Sequence, residues 1–209
     1  MSQAAKQLGN MTIDQFDKIV ENDPNGSDYE LIDGELVMMG NPTEIHEQIA
    51  MNVAGALKPA MDARGCRTYA GNMRVQASSD SAGKDKYKPD VLVRCGPVSA
   101  NTYVTDPVVV VEVLSPSTMD KDRTTKLAFY KELPTVQHVV LAYTDQMRVE
   151  HYIRVDNKWE LKVLPTPESV LELSAVEFQM DLEAVYSDVP FDKTPRPRPR
   201  PGGFGRGGL

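Results

Sequence analysis

The chain has 209 residues, 41% of them hydrophobic, and its formal net charge is −7 at pH 7. This length suits one compact domain with tails, and the apolar fraction is sufficient for an ordinary buried core. The negative charge argues against a protein that merely coats nucleic acid, and no apolar run is long enough to cross a bilayer. Because the N-terminal residues lack the basic start and apolar core of a secretory signal, we expect a cytoplasmic protein.

The charge is distributed unevenly along the chain. Residues 193–209 contain five basic residues and no acidic residue, so removing their charge of +5 from the total of −7 leaves −12 on the rest. An acidic body must gather its basic groups locally, or recruit cations, before it approaches phosphate. The composition PRPRPRPGGFGRGG predicts a disordered tail, which could hold DNA electrostatically or be inert. We therefore expect a flexible leader at 1–11, one domain at 12–190 and a tail at 191–209.

The first half of the domain predicts two helices and a hairpin. Thr12 and Gln15 have the spacing of a capping box, which begins a short helix. Two short apolar runs flank Asp33-Gly34, and this dipeptide is a strong signal for a β-hairpin. Thr43 then caps a long amphipathic helix that ends at Gly65.

The second half predicts a sheet. The run 108–114 is almost continuously β-branched, which indicates a central strand buried on both faces. Ser117 or Thr118 can cap a helix over about 120–133. Further strands are expected at 66–77 (broken near Gly71), 91–95, 136–143, 147–155 and 158–164, with a short strand and a short terminal helix within 165–190. This order predicts an α/β domain in the broad sense, a mixed sheet flanked by helices.

Cysteine usage gives no sign of a disulfide framework or of a thiolate metal site. Cys66 and Cys95 are too few for either. We expect two ordinary core thiols in a reducing compartment.

Two acidic residues stand in or beside apolar strands, where an acid needs a physical reason. Glu112 interrupts the run VVVVEVL, and a buried carboxylate is costly unless it is paired or binds a metal. Alternatively, Glu112 lies solvated or ion-paired near the end of its strand. Asp90 begins a second apolar strand directly after a proline. Two neighbouring strands that present carboxylates at one end would create an oxygen-rich site for Mg²⁺ or Mn²⁺, which fits phosphodiester hydrolysis by a metal-generated hydroxide.

A lysine completes this candidate site. Lys126 lies on the predicted helix after the Glu112 strand, and it shares one helix face with Asp122 and Tyr130 through four-residue spacing. A lysine near the metal could orient the attacking water or stabilise developing negative charge. Taken alone, Lys126 also fits an exposed lysine paired with Asp122, and Tyr130 fits packing against the sheet better than catalysis.

Several short motifs, in their order and spacing, resemble a known nuclease family. Pro89-Asp90, followed after twenty-one residues by Glu112-Val113-Leu114, resembles the signature of PD-(D/E)XK nucleases. More closely, the chain is similar to the Uma-type restriction endonuclease family in YELIDGELVMM, His46, KPDVLV, VVVEVLSPST, Asp122-x3-Lys126-x3-Tyr130, VQHVVLAY and VEHYIRVDNKWEL. The resemblance covers roughly residues 12–186. It implies a restriction-endonuclease-like core with helices on both faces of a central mixed sheet, divalent-metal binding and DNA cleavage.

Specific roles follow from this resemblance by position. It implies that Asp90 and Glu112 bind the metal through their carboxylates and that Val113 contributes its backbone carbonyl. The position two after Glu112 is Leu114, where the general superfamily motif has a lysine. In the Uma-type pattern a lysine from the next helix replaces it, and Lys126 fits that position.

The resemblance also draws attention to two secondary candidates. Glu35 lies in the DGEL phrase of the hairpin, where it is either an additional acid near the metal or a solvated strand residue. His46 lies in the first turn of the long helix, where it could bind the metal, contact phosphate or cap the helix.

These observations predict a Mg²⁺-dependent DNA endonuclease with Asp90, Glu112 and Lys126 as its catalytic residues. Two alternatives stay open. One is a nuclease fold without catalysis that serves as a nucleic-acid-binding or partner module, and the other is a structural protein whose acids are solvated. No membrane partner is expected. A homodimer is compatible with the activity, because cutting both strands needs two sites or two events.

Overall fold

The computed structural model describes residues 10–24, 28–115, 119 and 122–191. The expected leader at 1–11 and tail at 191–209 fall almost entirely outside these residues, as do the candidate helix caps Ser117 and Thr118. Within the described ranges, no helix combines the length and the apolar character that crossing a bilayer requires.

The described chain alternates between helices and strands. The helices are α1 (Ile13–Asn22), α2 (Glu44–Ala63), α3 (Leu127–Glu132) and α4 (Leu182–Val185), and a π-helical turn at Asp122–Lys126 leads into α3. The strands are β1 (Tyr29–Ile32), β2 (Glu35–Met38), β3 (Arg67–Ala70), β4 (Arg74–Val75), β5 (Val91–Arg94), β6 (Tyr103–Val104), β7 (Val109–Leu114), β8 (His138–Tyr143), β9 (Val149–Val155), β10 (Lys158–Leu164), β11 (Val170–Leu173) and β12 (Phe178–Asp181).

The predicted caps and turns of the N-terminal half are confirmed. The Thr12 hydroxyl accepts a hydrogen bond from the backbone N–H of Gln15, and the Gln15 side chain accepts one from the backbone N–H of Thr12. β1 and β2 are joined by Asp33-Gly34, whose φ angles of 48° and 75° suit a tight hairpin turn. α2 begins after the cap residue Thr43 and ends just before Gly65, which has a φ of 73°.

Six strands form one mixed sheet in the order β10-β9-β8-β7-β5-β3. β7 and β8 run parallel, and the other neighbours in this sheet are antiparallel. A parallel pair needs a crossover connection, which the π-helical turn and α3 provide between β7 and β8. β7 lies in the interior of the sheet and all six of its residues are buried, as its β-branched run predicts.

Helices cover both faces of this sheet. On one face, α2 packs against Val111 and Val113 of β7. On the other face, α3 packs against Val110 and Leu114. Because successive side chains of a strand point to opposite faces, Glu112 lies on the α3 side. The predicted mixed sheet with helices on both faces is therefore confirmed.

The expectation of two free thiols is wrong, because Cys66 and Cys95 form a disulfide. β3 and β5 are antiparallel neighbours in which Arg67 pairs with Arg94. Cys66 precedes and Cys95 follows these paired residues, so the two cysteines face each other with Cα atoms 4.0 Å apart. The pairing depends on the register of the sheet, which two cysteines 29 residues apart in the sequence do not reveal.

Two segments differ in detail from their predicted form. The segment 165–190 contains two strands rather than one, since β11 and β12 form an antiparallel hairpin before α4. Each has only four residues, which is too short for a reliable alternation signal. The described part of the predicted helix at 120–133 begins as the π-helical turn that carries Asp122 and Lys126. Single π turns of this kind are frequent at functional sites.

Candidate active site

Asp90 lies where a loop enters β5, at the end of the sheet where β7 finishes. Because β5 is antiparallel to β7, with Val91 paired to Val111, residue 90 comes opposite the part of β7 that carries Glu112 and Val113. The Asp90 carboxylate accepts a hydrogen bond from the Val113 backbone N–H at 2.7 Å. Two segments far apart in the sequence are thereby joined at one point.

The Glu112 side chain is buried and forms a hydrogen bond with Tyr130. Its side chain is 3% exposed, and its Oε1 accepts a hydrogen bond from the Tyr130 hydroxyl at 2.6 Å. Lys126 Nζ lies 3.5 Å from the same oxygen. Tyr130 is fully buried and packs edge-to-face against Tyr87 and Phe129, in keeping with its predicted packing role. Glu112 is thus a buried, paired acid and not a solvated one.

Lys126 brings its ammonium group to a cluster of three carboxylates. Nζ lies 3.1 Å from Glu30 Oε1, 3.3 Å from Asp122 Oδ1 and 3.5 Å from Glu112 Oε1. The π-helical turn positions the pair, since Asp122 and Lys126 are its first and last residues. The alternative prediction of an exposed lysine paired with Asp122 is correct about the ion pair. It is wrong about exposure, because the lysine side chain is only 3% exposed.

Glu30 belongs to this cluster, although the hairpin motif drew attention to Glu35. Glu30 is fully buried on β1, where it accepts a hydrogen bond from the Lys88 backbone N–H at 2.7 Å and pairs with Lys126. Among the described residues, its Oε2 has no hydrogen-bond partner. Glu35 lies on β2 with an exposed side chain, which matches the solvated alternative. The signal for Glu30 was the one that identified Glu112, an acid within an apolar strand.

His46 contacts the site from the first turn of α2. Its Nε2 lies 3.3 Å from Asp90 Oδ2, and its backbone N–H donates to the Thr43 hydroxyl at 3.3 Å. Burial lowers the pKa of His46, but the hydrogen bond to Asp90 and the charges of Asp90, Glu47 and Asp122 more than offset this, so the net shift is upward. A protonated imidazole is therefore favoured beside Asp90.

The cluster contains more acidic groups than basic groups, since Glu30, Asp90, Glu112 and Asp122 surround Lys126 and His46. Burial raises the pKa of Glu112 well above its usual range; the charge of Lys126 opposes this shift, while the neighbouring carboxylates add to it. Burial lowers the pKa of Lys126, but Glu112, Glu30 and Asp122 outweigh burial and raise it, so the lysine stays charged. Its ammonium group thus faces these three carboxylates and that of Asp90. A further cation would relieve this imbalance.

A cavity of about 320 Å³ opens onto these groups, and its lining includes His46, Asp90, Glu112, Val113, Asp122 and Lys126. Hydrogen bonds and ion pairs among the described residues engage Oδ2 of Asp90 and Oε1 of Glu112, which leaves the other oxygen of each carboxylate. The N–H and C=O of a strand residue point to the same side, so the Val113 carbonyl faces the side of Asp90. Among the residues that the structure describes, no three His, Cys, Asp or Glu side chains are arranged as metal ligands. The site therefore offers two carboxylates and a carbonyl, and it unites every candidate from the sequence except Glu35.

Comparisons with known proteins identify a matching family and two related proteins. The family that matches the chain over residues 13–183 is Uma2, described as "Putative restriction endonuclease". Uncharacterized protein slr1290 from Synechocystis is 26% identical over 165 residues, which cover 78% of this chain and 85% of that protein. Uncharacterized protein sll1609 from the same organism is 29% identical over 151 residues, covering 69% of this chain and 83% of that one.

A solved structure shares the fold. The crystal structure described as "a putative nuclease belonging to DUF820 from Anabaena variabilis" has a TM-score of 0.67 to this protein at 18% identity, covering 85% of this chain and 98% of the other. At this identity the likeness concerns the fold alone. The family match, by contrast, spans every residue of the candidate site, and the chain therefore belongs to the Uma2 family.

Proposed function

We propose that this protein is a divalent-metal-dependent DNA endonuclease that hydrolyses phosphodiester bonds. The observation that carries the proposal is that Asp90, Glu112 and Lys126 line one cavity at the end of the sheet. The two acids are separated by twenty-one residues and become neighbours through the antiparallel pairing of β5 and β7. Family membership and fold support a nuclease, and the metal and the DNA substrate are the parts that we add.

The donor set fits Mg²⁺ or Mn²⁺. Both ions favour oxygen ligands, and Mg²⁺ keeps several waters, so one or two protein carboxylates suffice. The remaining carboxylate oxygens of Asp90 and Glu112 and the carbonyl of Val113 would hold the ion. When bound, such an ion polarises a phosphoryl oxygen and lowers the pKa of a water molecule. The excess of carboxylates around Lys126 also supports cation binding.

Lys126 supplies a positive charge inside the cavity. Its ammonium can orient a water molecule and stabilise the negative charge that develops on the phosphate during attack. Leu114, which occupies the lysine position of the general motif, is fully buried in the core and cannot do this. His46 lines the same cavity beside Asp90, where its imidazole can donate a hydrogen bond to a phosphate oxygen.

The proposal is tested by a cleavage assay on supercoiled plasmid, linear duplex and single-stranded DNA with Mg²⁺, Mn²⁺ or Ca²⁺. We expect cleavage with Mg²⁺ or Mn²⁺ and none in EDTA. Asp90→Asn and Glu112→Gln should abolish cleavage, whereas Glu35→Gln should not, because that carboxylate is exposed on the hairpin. Full activity of Asp90→Asn would refute the assignment.

A binding module without catalysis is the second candidate function. The observation that favours it is the engagement of Lys126 by three carboxylates, which leaves its ammonium less free to act on a substrate. Titration calorimetry with Mn²⁺ separates the two candidates. Absence of metal binding, combined with retained DNA binding, would support the binding module.

A further inference from the structure

A second cluster of charged side chains, centred on Glu150, lies beside the candidate active site on the same face of the sheet. Glu112 pairs with Leu141 of β8, and Leu141 pairs with Glu150 of β9, so the two glutamates point to one face from strands two positions apart. This spacing corresponds to about 10 Å between their backbones. The π-helical turn links the two groups, because its Lys126 contacts Glu112 and its Arg123 contacts Glu150.

Glu150 is surrounded by more donors than one carboxylate needs. Its side chain is 2% exposed, and Oε1 accepts hydrogen bonds from Tyr143 at 2.8 Å, Arg148 at 2.9 Å and Arg123 at 3.2 Å. Oε2 accepts a further hydrogen bond from the Tyr152 hydroxyl at 3.3 Å. Burial raises the pKa of Glu150, but the hydrogen bond from Tyr143 and the two arginines outweigh it and hold the pKa below its usual value. One carboxylate faces two guanidinium groups, so the group has a net positive charge.

Both arginines are partly exposed and held in place. The side chains of Arg123 and Arg148 are 44% and 37% exposed. The Arg148 guanidinium also lies over the Tyr143 ring, 5.3 Å from its centroid, and its Nε is buried without a hydrogen-bond partner among the described residues. An arginine that is pinned on one side and exposed on the other loses little conformational freedom when it binds a phosphate. The pair therefore offers preorganised positive charge on a strongly acidic domain.

We propose that Arg123 and Arg148 form a binding site for backbone phosphates of DNA, beside the cavity that contains Asp90 and Glu112. The inference rests on the proposed function and extends it, since it identifies how an acidic protein holds a polyanion next to carboxylates. Along one strand of duplex DNA, successive phosphates rise by about 3.4 Å. Strands about 10 Å apart therefore place the arginines within reach of phosphates close to the one that is cleaved. The arginines position the substrate and take no part in the chemistry.

Fluorescence anisotropy with a short labelled DNA duplex in EDTA measures this binding without cleavage. For Arg123→Gln/Arg148→Gln we expect affinity to fall on the order of tenfold and the slope of log affinity against log salt to shrink by about 1.8. Arg123→Lys/Arg148→Lys keeps the charge and should retain the slope of the wild-type protein. A purely structural role at Glu150 would not give this rescue, because lysine cannot reproduce the guanidinium geometry.

Arg64→Gln is the matched control. The Arg64 side chain is also 37% exposed and also forms an ion pair with a glutamate, Glu177. Arg64 directly follows α2 and lies close in sequence to Cys66. The disulfide of Cys66 is at the C-terminal end of β5, whereas Asp90 is at the N-terminal end of that strand. This variant should bind the duplex as the wild-type protein does. Thermal unfolding of each variant establishes that it is folded, and the single variant Arg123→Gln serves if the double glutamine variant is not.

The outcomes decide separately on this inference and on the proposed function. Weaker binding with a raised KM and an unchanged kcat at saturating DNA supports the arginine site. Unchanged affinity and salt slope in the glutamine variants would overturn it and leave the nuclease proposal intact. Arginine-dependent binding without cleavage in Mg²⁺ or Mn²⁺ would keep the arginine site and refute the nuclease. Absence of duplex binding by the wild-type protein would overturn the arginine site.

Discussion

The hydroxyl of Tyr130 donates a hydrogen bond to Oε1 of Glu112 at 2.6 Å in the interior of the protein. Glu112 belongs to β7 and Tyr130 to α3, so this contact ties the carboxylate to the helix that covers it. The position of a candidate metal ligand therefore depends on the packing of a crossover helix.

Tyr130→Phe removes this hydroxyl and keeps the ring. We expect the free energy of unfolding to fall by about 1.5–3 kcal/mol, because a buried acceptor loses its donor, and we expect kcat to fall because Glu112 is less fixed. Urea unfolding and steady-state cleavage measure the two effects. Tyr29→Phe is the control, since the Tyr29 hydroxyl bonds Asp23 at 3.1 Å in a half-buried position and should cost less. Equal losses in both variants would contradict the special role of Tyr130.

Lys126→Met removes the positive charge from its three carboxylate partners. We expect a loss of about 3–5 kcal/mol in stability, because breaking a buried ion pair leaves uncompensated charge. Mg²⁺ or Mn²⁺ should raise the melting temperature of this variant more than that of the wild-type protein, since a cation that binds the folded state stabilises it by mass action. Thermal unfolding across a metal titration measures this. A melting temperature insensitive to both ions in both proteins would argue against the cation site.

The two acids of the hairpin provide a matched pair. Glu30→Gln should lower stability by about 1–3 kcal/mol and reduce metal-dependent cleavage, because Glu30 is a buried partner of Lys126. Glu35→Gln should change stability by less than about 0.5 kcal/mol, because Glu35 is exposed on β2. Urea unfolding and the plasmid assay compare the two variants. The opposite ranking would show that the hairpin presents the other acid to the site.

A buried pair of histidines predicts a pH dependence of stability. The backbone N–H of Ala175 donates to Nε2 of His138 at 3.1 Å, so the proton of neutral His138 lies on Nδ1, which is 2.9 Å from Nε2 of His151. Burial lowers the pKa of His138 to about 4. Burial, with the charges of His138 and Lys162, lowers the pKa of His151 to about 3.

Since both values lie below the unfolded value of 6.5, the unfolded chain binds more protons than the folded chain between pH 6.5 and about 4. The free energy of unfolding should therefore fall with decreasing pH in that window, by about 1.4 kcal/mol per pH unit for each ring. Urea unfolding at a series of pH values measures the slope. His138→Gln/His151→Gln should flatten it and should run parallel to the wild-type protein above pH 7.5. An identical slope below pH 6 would assign the effect to other groups.

Reduction of the disulfide should destabilise the fold. Cys66 and Cys95 are 29 residues apart in the sequence, and opening the loop that they close should cost about 3–4 kcal/mol through the entropy of the unfolded chain. Urea unfolding with and without dithiothreitol measures this loss. Cys66→Ser/Cys95→Ser should unfold like the reduced protein and should not respond to dithiothreitol. Wild-type stability that is unaffected by the reductant would contradict the prediction.

The sequence by itself determined the local structure of this protein. The capping box of Thr12 and Gln15, the turn at Asp33-Gly34 and the central strand at 108–114 depend on backbone preferences and on burial patterns within a few neighbouring residues. The same kind of signal singled out Asp90 and Glu112, because an acid in or beside an apolar strand is unusual wherever that strand lies. These features need no knowledge of which segments meet.

The tertiary structure alone decided which side chains meet. Glu30 rather than Glu35 reaches Lys126, because Glu30 lies within β1 whereas Glu35 lies beside the turn of the hairpin, and Cys66 meets Cys95 because of the register between β3 and β5. The arginines on Glu150 likewise come from the π-helical turn and from the turn between β8 and β9. Register and helix placement result from many weak contacts summed over the whole core, so no single segment carries the information.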